Sequence, residues 1–465
     1  MERRLERAVI IGGSIAGLLA ARALAGHVRE LVVLERDRVP EGPKARKGVP
    51  QGRHIHVLLE AGRDVLERFF PGIVAEMERE GLWSIDLGRD LVWHHFGVWK
   101  VRCESESRML LCTRPFLEHH VRQRLLAEPS VTLRSETTVK ALRASADGTA
   151  ITGVVLDDGS ELAADLVVDA SGRGSKVPVW LEALGYARPE DEEIGVDLSY
   201  TTCFYRPSPR QVHDWKFMVE YPSSVQDWRG GFISCVEGDR WIVSLNGYFK
   251  DAPEPTHEGF LRYAKTLPRP DLHDCIADAE PLSEPVVYKI PKNRWRHYER
   301  LARFPAGLIP IGDSVCAFNP IFGQGMSAAS LQAEVLEQAV AEHLRSGAPG
   351  VAGLEERVRK RLPRVLWLPW FLASTLDLNY PQAHGKRPIG HGVLMWYVQR
   401  LLELSSTNAR AYRRFMRVLS LKAGLWSILE PSMAAAVVTY GLKGLFVPLR
   451  ERANTERRPD LETAG

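Results

Sequence analysis

The sequence predicts a mixed α/β (α+β) chain in three parts: a doubly wound parallel sheet begun at the N-terminus, an inserted antiparallel sheet, and a helical C-terminal region. Three observations carry that expectation. Residues 8–35 run as an apolar strand, a glycine turn, an apolar helix and a second apolar strand closed by an acid. Aromatic residues concentrate between about Tyr186 and Tyr288. From about Leu354 to Leu449 the chain reads as helix, with uncharged stretches at Val365–Leu376 and Pro431–Leu442.

Taken in order, Ala8–Ile11 is a short buried strand, Gly12–Gly17 a tight turn, Leu18–Ala25 a helix, and Leu31–Leu34 a second buried strand ending in Glu35. A basic stretch punctuated by Gly and Pro, Pro40 to Arg53, is too turn-rich for regular structure and reads as a functional loop. Phe116, Leu117, Val121 and Leu125 recur at helical spacing, so Arg114 to Leu126 is a helix opened by Thr113 and Pro115. Alternating residues around a turn at Asp157–Gly159 make a hairpin that feeds a buried strand, Leu166–Val168. The aromatic stretch forms the separate antiparallel sheet. Gly307–Gly312 returns as a buried strand and the residues after Gly323 as a long helix, followed by the linker SGAPGVAG. The expected division is 1–80, 100–185 and 286–345 as one discontinuous domain, 81–99 with 186–285 as the inserted one, 346–449 as the helical region and 450–465 as a disordered tail.

Composition excludes several function classes. With 465 residues, 45% hydrophobic and 26% charged, the chain can bury a large core. Its net charge of +3 implies no field for a polyanion, so nucleic acid is not an expected partner. Six cysteines without a C-x-x-C pair suit free thiols in a reducing cytoplasm. The longest uncharged stretch, Ser314 to Ala333, holds Asn319, Pro320 and Gln324 near its centre, so no transmembrane segment is expected. The histidine pairs His94-His95 and His119-His120 lack further ligands at metal-site spacing, and no metal is expected.

Three separated motifs carry chemistry. In GGSIAG, Gly12 and Gly17 stand at the first and third positions of a dinucleotide fingerprint with Gly13 between, while Ser14 replaces the middle glycine. Glu35, 18 residues after Gly17, suits a ribose diol. In DASGRGSK a buried strand ends in Asp169, and Gly172, Gly174, Ser175 and Lys176 follow, where glycines let the chain pass close to a ligand. In GDSVCAFNPIFGQG, Asp313 ends a strand, Pro320 follows seven residues later, and Gly323 and Gly325 open a long helix. A carboxylate there accepts from sugar hydroxyls, and the helix N-terminal amides hold a partly negative ring edge.

Together these strings resemble the FAD-dependent monooxygenases of the para-hydroxybenzoate hydroxylase type over about the first 345 residues. The strings RKGVPQGRHIHVLL and LPWFLASTLDLNYP are similar, more narrowly, to the bacterial polyether olefin epoxidases of lasalocid and monensin biosynthesis. The resemblance implies a Rossmann-like FAD-binding domain with an inserted substrate domain. It places Gly12, Ser14 and Gly17 against the FAD pyrophosphate, Glu35 on the adenosine ribose, Arg114 at the phosphate or ribityl chain and Asp313 at the ribityl and pyrophosphate region. Pro320, Gly323 and Gly325 would form the loop beside the flavin edge, with no side-chain base assigned. Asp169, Gly172 and Lys176 match a motif serving FAD and, transiently, the pyridine nucleotide. Arg46 and Lys47 would meet phosphates or incoming NADPH, and Gly13, Arg36, Gly312, Gln324 and Met326 complete the candidate cofactor contacts.

The chemistry so implied is transfer of one oxygen atom from a flavin C4a-hydroperoxide, formed from O2 after reduction by NADPH or NADH, to a large apolar natural-product intermediate such as a polyene polyketide or terpenoid, by epoxidation or hydroxylation. His54 and His56, beside the basic loop, and Trp215, Phe217 and Trp228 are the candidate substrate contacts. The acceptor could be carrier-tethered, and a separate flavin reductase could supply the electrons. A prenyl-chain reductase and a non-catalytic binding protein on the same fold are the competing expectations. The W-x-W-x-I-P string of flavin halogenases is absent.

Overall fold

A computed structural model describes residues 4–222, 226–456 and 458–459. Its first layer is a five-stranded parallel sheet in the order Leu308–Pro310, Leu166–Asp169, Leu5–Ile11, Val28–Leu34, Val131–Arg134. Val9, Ile10, Val32, Val33, Val167 and Val168 are fully buried, as continuous apolar runs must be when helices cover both faces. The helix Ile15–Ala25 follows the first strand directly, and the long helix Gly325–Arg345 packs against it. Thr113 caps the helix Arg114–Leu126, its hydroxyl accepting from the Phe116 amide. Two three-stranded sheets flank this layer, one of them the hairpin expected around Asp157 with a third strand added.

The second large sheet has nine strands. It is antiparallel except that Phe217–Glu220 runs parallel to Leu91–His95. Two expected boundaries move. Val286–Arg296 pairs along Asp191–Arg206 and so lies in the large sheet rather than in the first layer. Trp83–Asp86 pairs with Arg108–Leu111 in a small sheet, and only Leu91–His95 and Val98–Trp99 of the 81–99 segment enter the large one. A second core closes the sheet's far face around Trp99, Trp215, Met218, Trp241 and Phe260.

The remainder is helical. Leu354–Asp377 spans 24 residues and leads into His391–Leu404, Ala409–Leu419 and Pro431–Lys443. Residues 450–456, expected as part of a disordered tail, include the end of a helical turn, Leu449–Arg452. There Arg452 pairs with buried Glu403, and the Asn454 carbonyl accepts from the Trp99 amide. Their anchoring comes from elements distant in sequence, which composition cannot reveal. Residues 460–465 of that expected tail lie outside the described residues.

Candidate active site

Where the first layer meets the large sheet, a cleft of about 330 Å³ opens between the ends of the parallel strands and the N-terminus of the long helix. All three motifs reach it. Ser14, Gly172, Asp313, Pro320, Gly323, Gly325 and Met326 line it, joined by Arg36, Arg114, His56 and Phe217. The crossing point of a doubly wound sheet is where ligands are expected to bind.

Glycine is required where the motifs turn. A Cβ on Gly17 would stand 1.8 Å from the Gly12 carbonyl oxygen, and one on Gly12, at φ +104°, would stand 2.6 Å from the Ala170 carbonyl oxygen. Gly312 adopts φ +66° and donates its amide to Gln332 Oε1 at 2.8 Å. Gly325 differs: a Cβ there meets nothing within 4 Å, so the helix N-terminus faces open space.

Ser14 precedes the first helix, and the Arg114 guanidinium donates to its hydroxyl at 2.6 Å. Arg114 also donates to Glu118 at 2.8 Å, and Glu118 accepts from the Ile15 amide. Arg114, then Arg46, with the Ser14 hydroxyl hold the Glu118 carboxyl below the usual carboxylate range against the opposing cost of burial. Glu35 accepts from the Gly13 and Asp37 amides and lies 3.0 Å from Arg46. Arg46 is nearly buried between Glu35 and Glu118, yet none of its three guanidinium nitrogens has a hydrogen-bond partner among the described residues. Both side-chain polar atoms of fully buried Gln324 are likewise unpartnered. Arg46 is charge-paired all the same, whereas a buried amide such as Gln324 is costly to leave unengaged; neither side chain lines the cleft itself, and the hydroxyl and heterocycle edges of a dinucleotide are groups that these polar atoms could engage.

Other expected contacts stand apart from the cleft wall. Lys47 and Lys176 are exposed. Asp169 is fully buried and ties its own turn by accepting from the Ser171 and Ser175 hydroxyls; burial raises its pKa. Arg173, not singled out from sequence, lines the cleft 3.6 Å from Asp313 and donates to the Lys292 and Phe318 carbonyls. In sequence it stands between Gly172 and Gly174, where the glycines carry the stronger signal.

The aromatic candidates separate. Phe217 lines the cleft with Tyr200, Phe232 and Tyr288. Trp215 stacks on Trp241 in the far-face core. Two successive amides, Lys216 and Phe217, donate to the one Asp90 carbonyl, and this irregularity breaks the alternation that would put Trp215 and Phe217 on one face. Trp228 donates its indole N–H to Asp251 at 3.0 Å and packs edge-on against Phe249, away from the cleft wall. His54 is buried behind the wall, hydrogen-bonded to Thr202 at 2.7 Å, which in turn bonds Ser244. Burial, aided by nearby cations, lowers His54 to about 4 and His56 to about 3, so both are neutral near neutral pH.

The turn Pro320–Phe322 is a partition. On its other side lies a second, aromatic cavity of about 90 Å³, walled by Trp93, His95, Tyr221, Tyr248, Tyr380 and Phe415. Ile321 lines both spaces, and its carbonyl accepts from the Tyr221 hydroxyl at 2.7 Å. Asn319 caps the turn, accepting from the Ile321 amide, and donates its own amide to Asp377 at 3.0 Å. Asn293 and Tyr248 donate to the same carboxylate at 2.6 and 3.1 Å. Burial nevertheless pushes Asp377 up to about 7. No spacing or motif in the sequence marks Asn319 or Asp377 as site residues, although Asp377 opens the DLNYP string.

Fold and cleft define an FAD-binding flavoprotein of the monooxygenase fold. The chain belongs to the family described as FAD binding domain, whose pattern matches residues 6–366. Protein Rv3254 of Mycobacterium tuberculosis is 30% identical over 98% of both chains. A kynurenine 3-monooxygenase of Salinispora arenicola is 26% identical over 74% of each. Among solved structures, p-nitrophenol 4-monooxygenase PnpA from Pseudomonas putida superposes with a TM-score of 0.63 at 18% identity, covering 90% of this chain and 99% of that one. PqsL, a probable FAD-dependent monooxygenase from Pseudomonas aeruginosa, gives 0.61 at 21% identity over 81% and 98%. Both likenesses are of fold. Among the described residues there is no cluster suited to a metal ion and no helix long and apolar enough to cross a membrane.

Proposed function

We propose that this chain is an FAD-dependent monooxygenase that uses NADPH or NADH and O2 to add one oxygen atom to an electron-rich alkene or aromatic ring of an apolar natural-product intermediate. The observation that supports it most is the position of Ile321, on a turn between Asn319 and Gly323 that borders the motif-lined cleft on one side and an aromatic cavity on the other. The names of the kynurenine and p-nitrophenol monooxygenases among its relatives agree with that class.

FAD, when bound and reduced, supplies the activation of O2. The chain supplies position and dryness. Arg46, Arg114, Ser14 and Gln324 would hold the dinucleotide, with Glu35 on its ribose and Asp313 toward its sugar-like chain. The amides at Gly323 and Gly325 would face the ring edge. Aromatic walls on both sides of the turn would exclude water and seat the acceptor. Neutral His56 offers a hydrogen bond at the cleft without adding charge there. Exposed Arg36 on the cleft wall, and Lys47 beside the cleft-lining Gly48, would offer cations to an incoming pyridine nucleotide.

The test is FAD binding by the purified chain, then NADPH and O2 consumption by the chain supplied with FAD, screened against apolar polyenes and aromatics with mass spectrometry of the products. Gain of one oxygen atom per NADPH supports the proposal. Gain of two hydrogens without O2 uptake would replace it with a reductase, and failure to bind FAD would replace it with a binding protein.

A further inference from the structure

From sequence the uncharged stretch Pro431–Leu442 suits either buried helix packing or contact with a membrane or a carrier-tethered chain; only one side of its helix is covered. Met433, Val437, Tyr440 and Gly441 face inward. The opposite side carries exposed Ala435, Val438, Thr439 and Leu442, at the spacing of a single helical stripe. Leu445 and Phe446 continue it, 72% and 86% exposed. Trp396 of the neighbouring helix borders the patch: a Cβ on Gly441 would stand 2.5 Å from its indole ring, and Trp396 is itself partly exposed. Trp426 and Leu429, on the short helix against the start of Pro431–Lys443, are exposed as well. Soluble surfaces rarely leave so many large apolar groups together in water.

Charge tells what covers them. Between residues 381 and 452, eleven Lys and Arg stand against only Glu403, Glu430 and Glu451, a local net charge of +8 in a chain whose total is +3. All three acids lie in this region, and two of them are already committed to its arginines: Glu403 with Arg400 and Arg452, Glu430 with Arg410 and Arg414. Lys443 and Arg450, which bracket Leu445 and Phe446, form no ion pair among the described residues. Unpaired cations beside exposed Leu, Phe and Trp are the composition of a segment lying in a lipid headgroup layer.

We propose that this face docks the protein onto the surface of an anionic bilayer, with Leu442, Leu445 and Phe446 entering the acyl boundary and Lys443 and Arg450 at the headgroup phosphates. The mode is interfacial, because the helix Pro431–Lys443, at 13 residues, is too short to span a bilayer. A symmetric second copy is the poorer occupant: a twofold interface would set one strongly positive face against another. The inference does not depend on the reaction the cleft performs.

The test uses the full FAD-loaded chain and sedimented vesicles of phosphatidylcholine, alone or mixed with phosphatidylglycerol. The chain should pellet with the mixed vesicles, poorly with phosphatidylcholine alone, and less as salt rises. Lys443→Gln combined with Arg450→Gln should lower partitioning about 30-fold. Leu442→Glu combined with Phe446→Glu should abolish it, while melting temperature and FAD binding stay at the wild-type level because these side chains are exposed. Equal recovery in the supernatant with both vesicle types overturns the proposal, as does unchanged partitioning of the glutamate variant. Sedimentation equilibrium decides the remaining case: a dimer that disappears in the glutamate variant, without vesicle binding, assigns the face to a second copy instead.

Discussion

Asn319 and Asp377 lie 58 positions apart, yet the amide of the first donates to the carboxylate of the second in the closed interior between the Pro320–Phe322 turn and the C-terminal helices. Asn319 caps the turn with its side-chain oxygen while its nitrogen is held from behind, so the last turn of Leu354–Asp377 sets the position of Pro320–Phe322.

Removing that carboxylate should loosen the site and the fold together. Asp377→Ala leaves Asn319, Asn293 and Tyr248 short of partners, and we expect a loss of about 3 kcal/mol in urea unfolding. Asp377→Asn keeps the shape and should cost less. Because Asp377 is raised to about 7, from 3.8, its contribution to stability is complete below about 3.8 and is lost as pH rises through about 7. The asparagine variant should therefore show a flatter fall in stability over that window, read from unfolding midpoints at a series of pH values.

His54 and His56 act with the opposite sign. Their folded values of about 4 and about 3 lie below the ordinary 6.5, so their contribution is complete above about 6.5 and is lost as pH falls through the two folded values. His54→Asn and His56→Asn should each reduce the acid-side loss of stability. A variant whose acid limb is unchanged would mean that its histidine is as protonated in the folded protein as in the unfolded one.

Arg46 should be a principal FAD anchor. Its buried guanidinium is charge-paired to Glu35 and Glu118 but makes no well-aligned hydrogen bond among the described residues, so a phosphate or hydroxyl reaching it would add charge-assisted bonds to those ion pairs. Arg46→Ala should weaken FAD binding about tenfold or more in a flavin-fluorescence titration. Lys47→Ala, changed at an exposed side chain, should leave FAD affinity nearly intact.

Gly17→Ala should be far more damaging than its size suggests. The new methyl would stand 1.8 Å from the Gly12 carbonyl oxygen, and relieving that clash separates the first helix from the turn. A loss of about 3 kcal/mol is expected, along with FAD retention, measured by calorimetry and by the flavin content of purified protein.

Phe217 and Trp215 should behave differently although two positions separate them. Phe217→Ala alters the cleft wall and should change the affinity for apolar acceptors, followed by the perturbation of flavin absorbance on binding. Trp215→Ala should cost about 3 kcal/mol in stability and leave that affinity unchanged, because the indole lies in the far-face core.

What could be read along the chain was local. The apolar run at 8–11, the glycines at 12 and 17, the acid at 35 and the glycine-opened helix after 323 each express a backbone need met within a few residues, so the parallel sheet and the convergence of the three motifs on one cleft were legible. The Ser14 substitution was legible too, but not its partners Arg114 and Glu118, which arrive from a helix about a hundred residues later. Trp215 and Phe217 looked equivalent because a doubled hydrogen bond to Asp90 leaves no trace in the order of residues. Nor did any periodicity mark Asp377 as the support of the Pro320–Phe322 turn, or show that one side of Pro431–Lys443 stays bare. Patterns of apolarity and glycine act through neighbours along the backbone, and these determined the class of fold. Which buried carboxylate meets which amide, and which apolar stripe finds a cover, depends on elements brought together only when the whole chain packs.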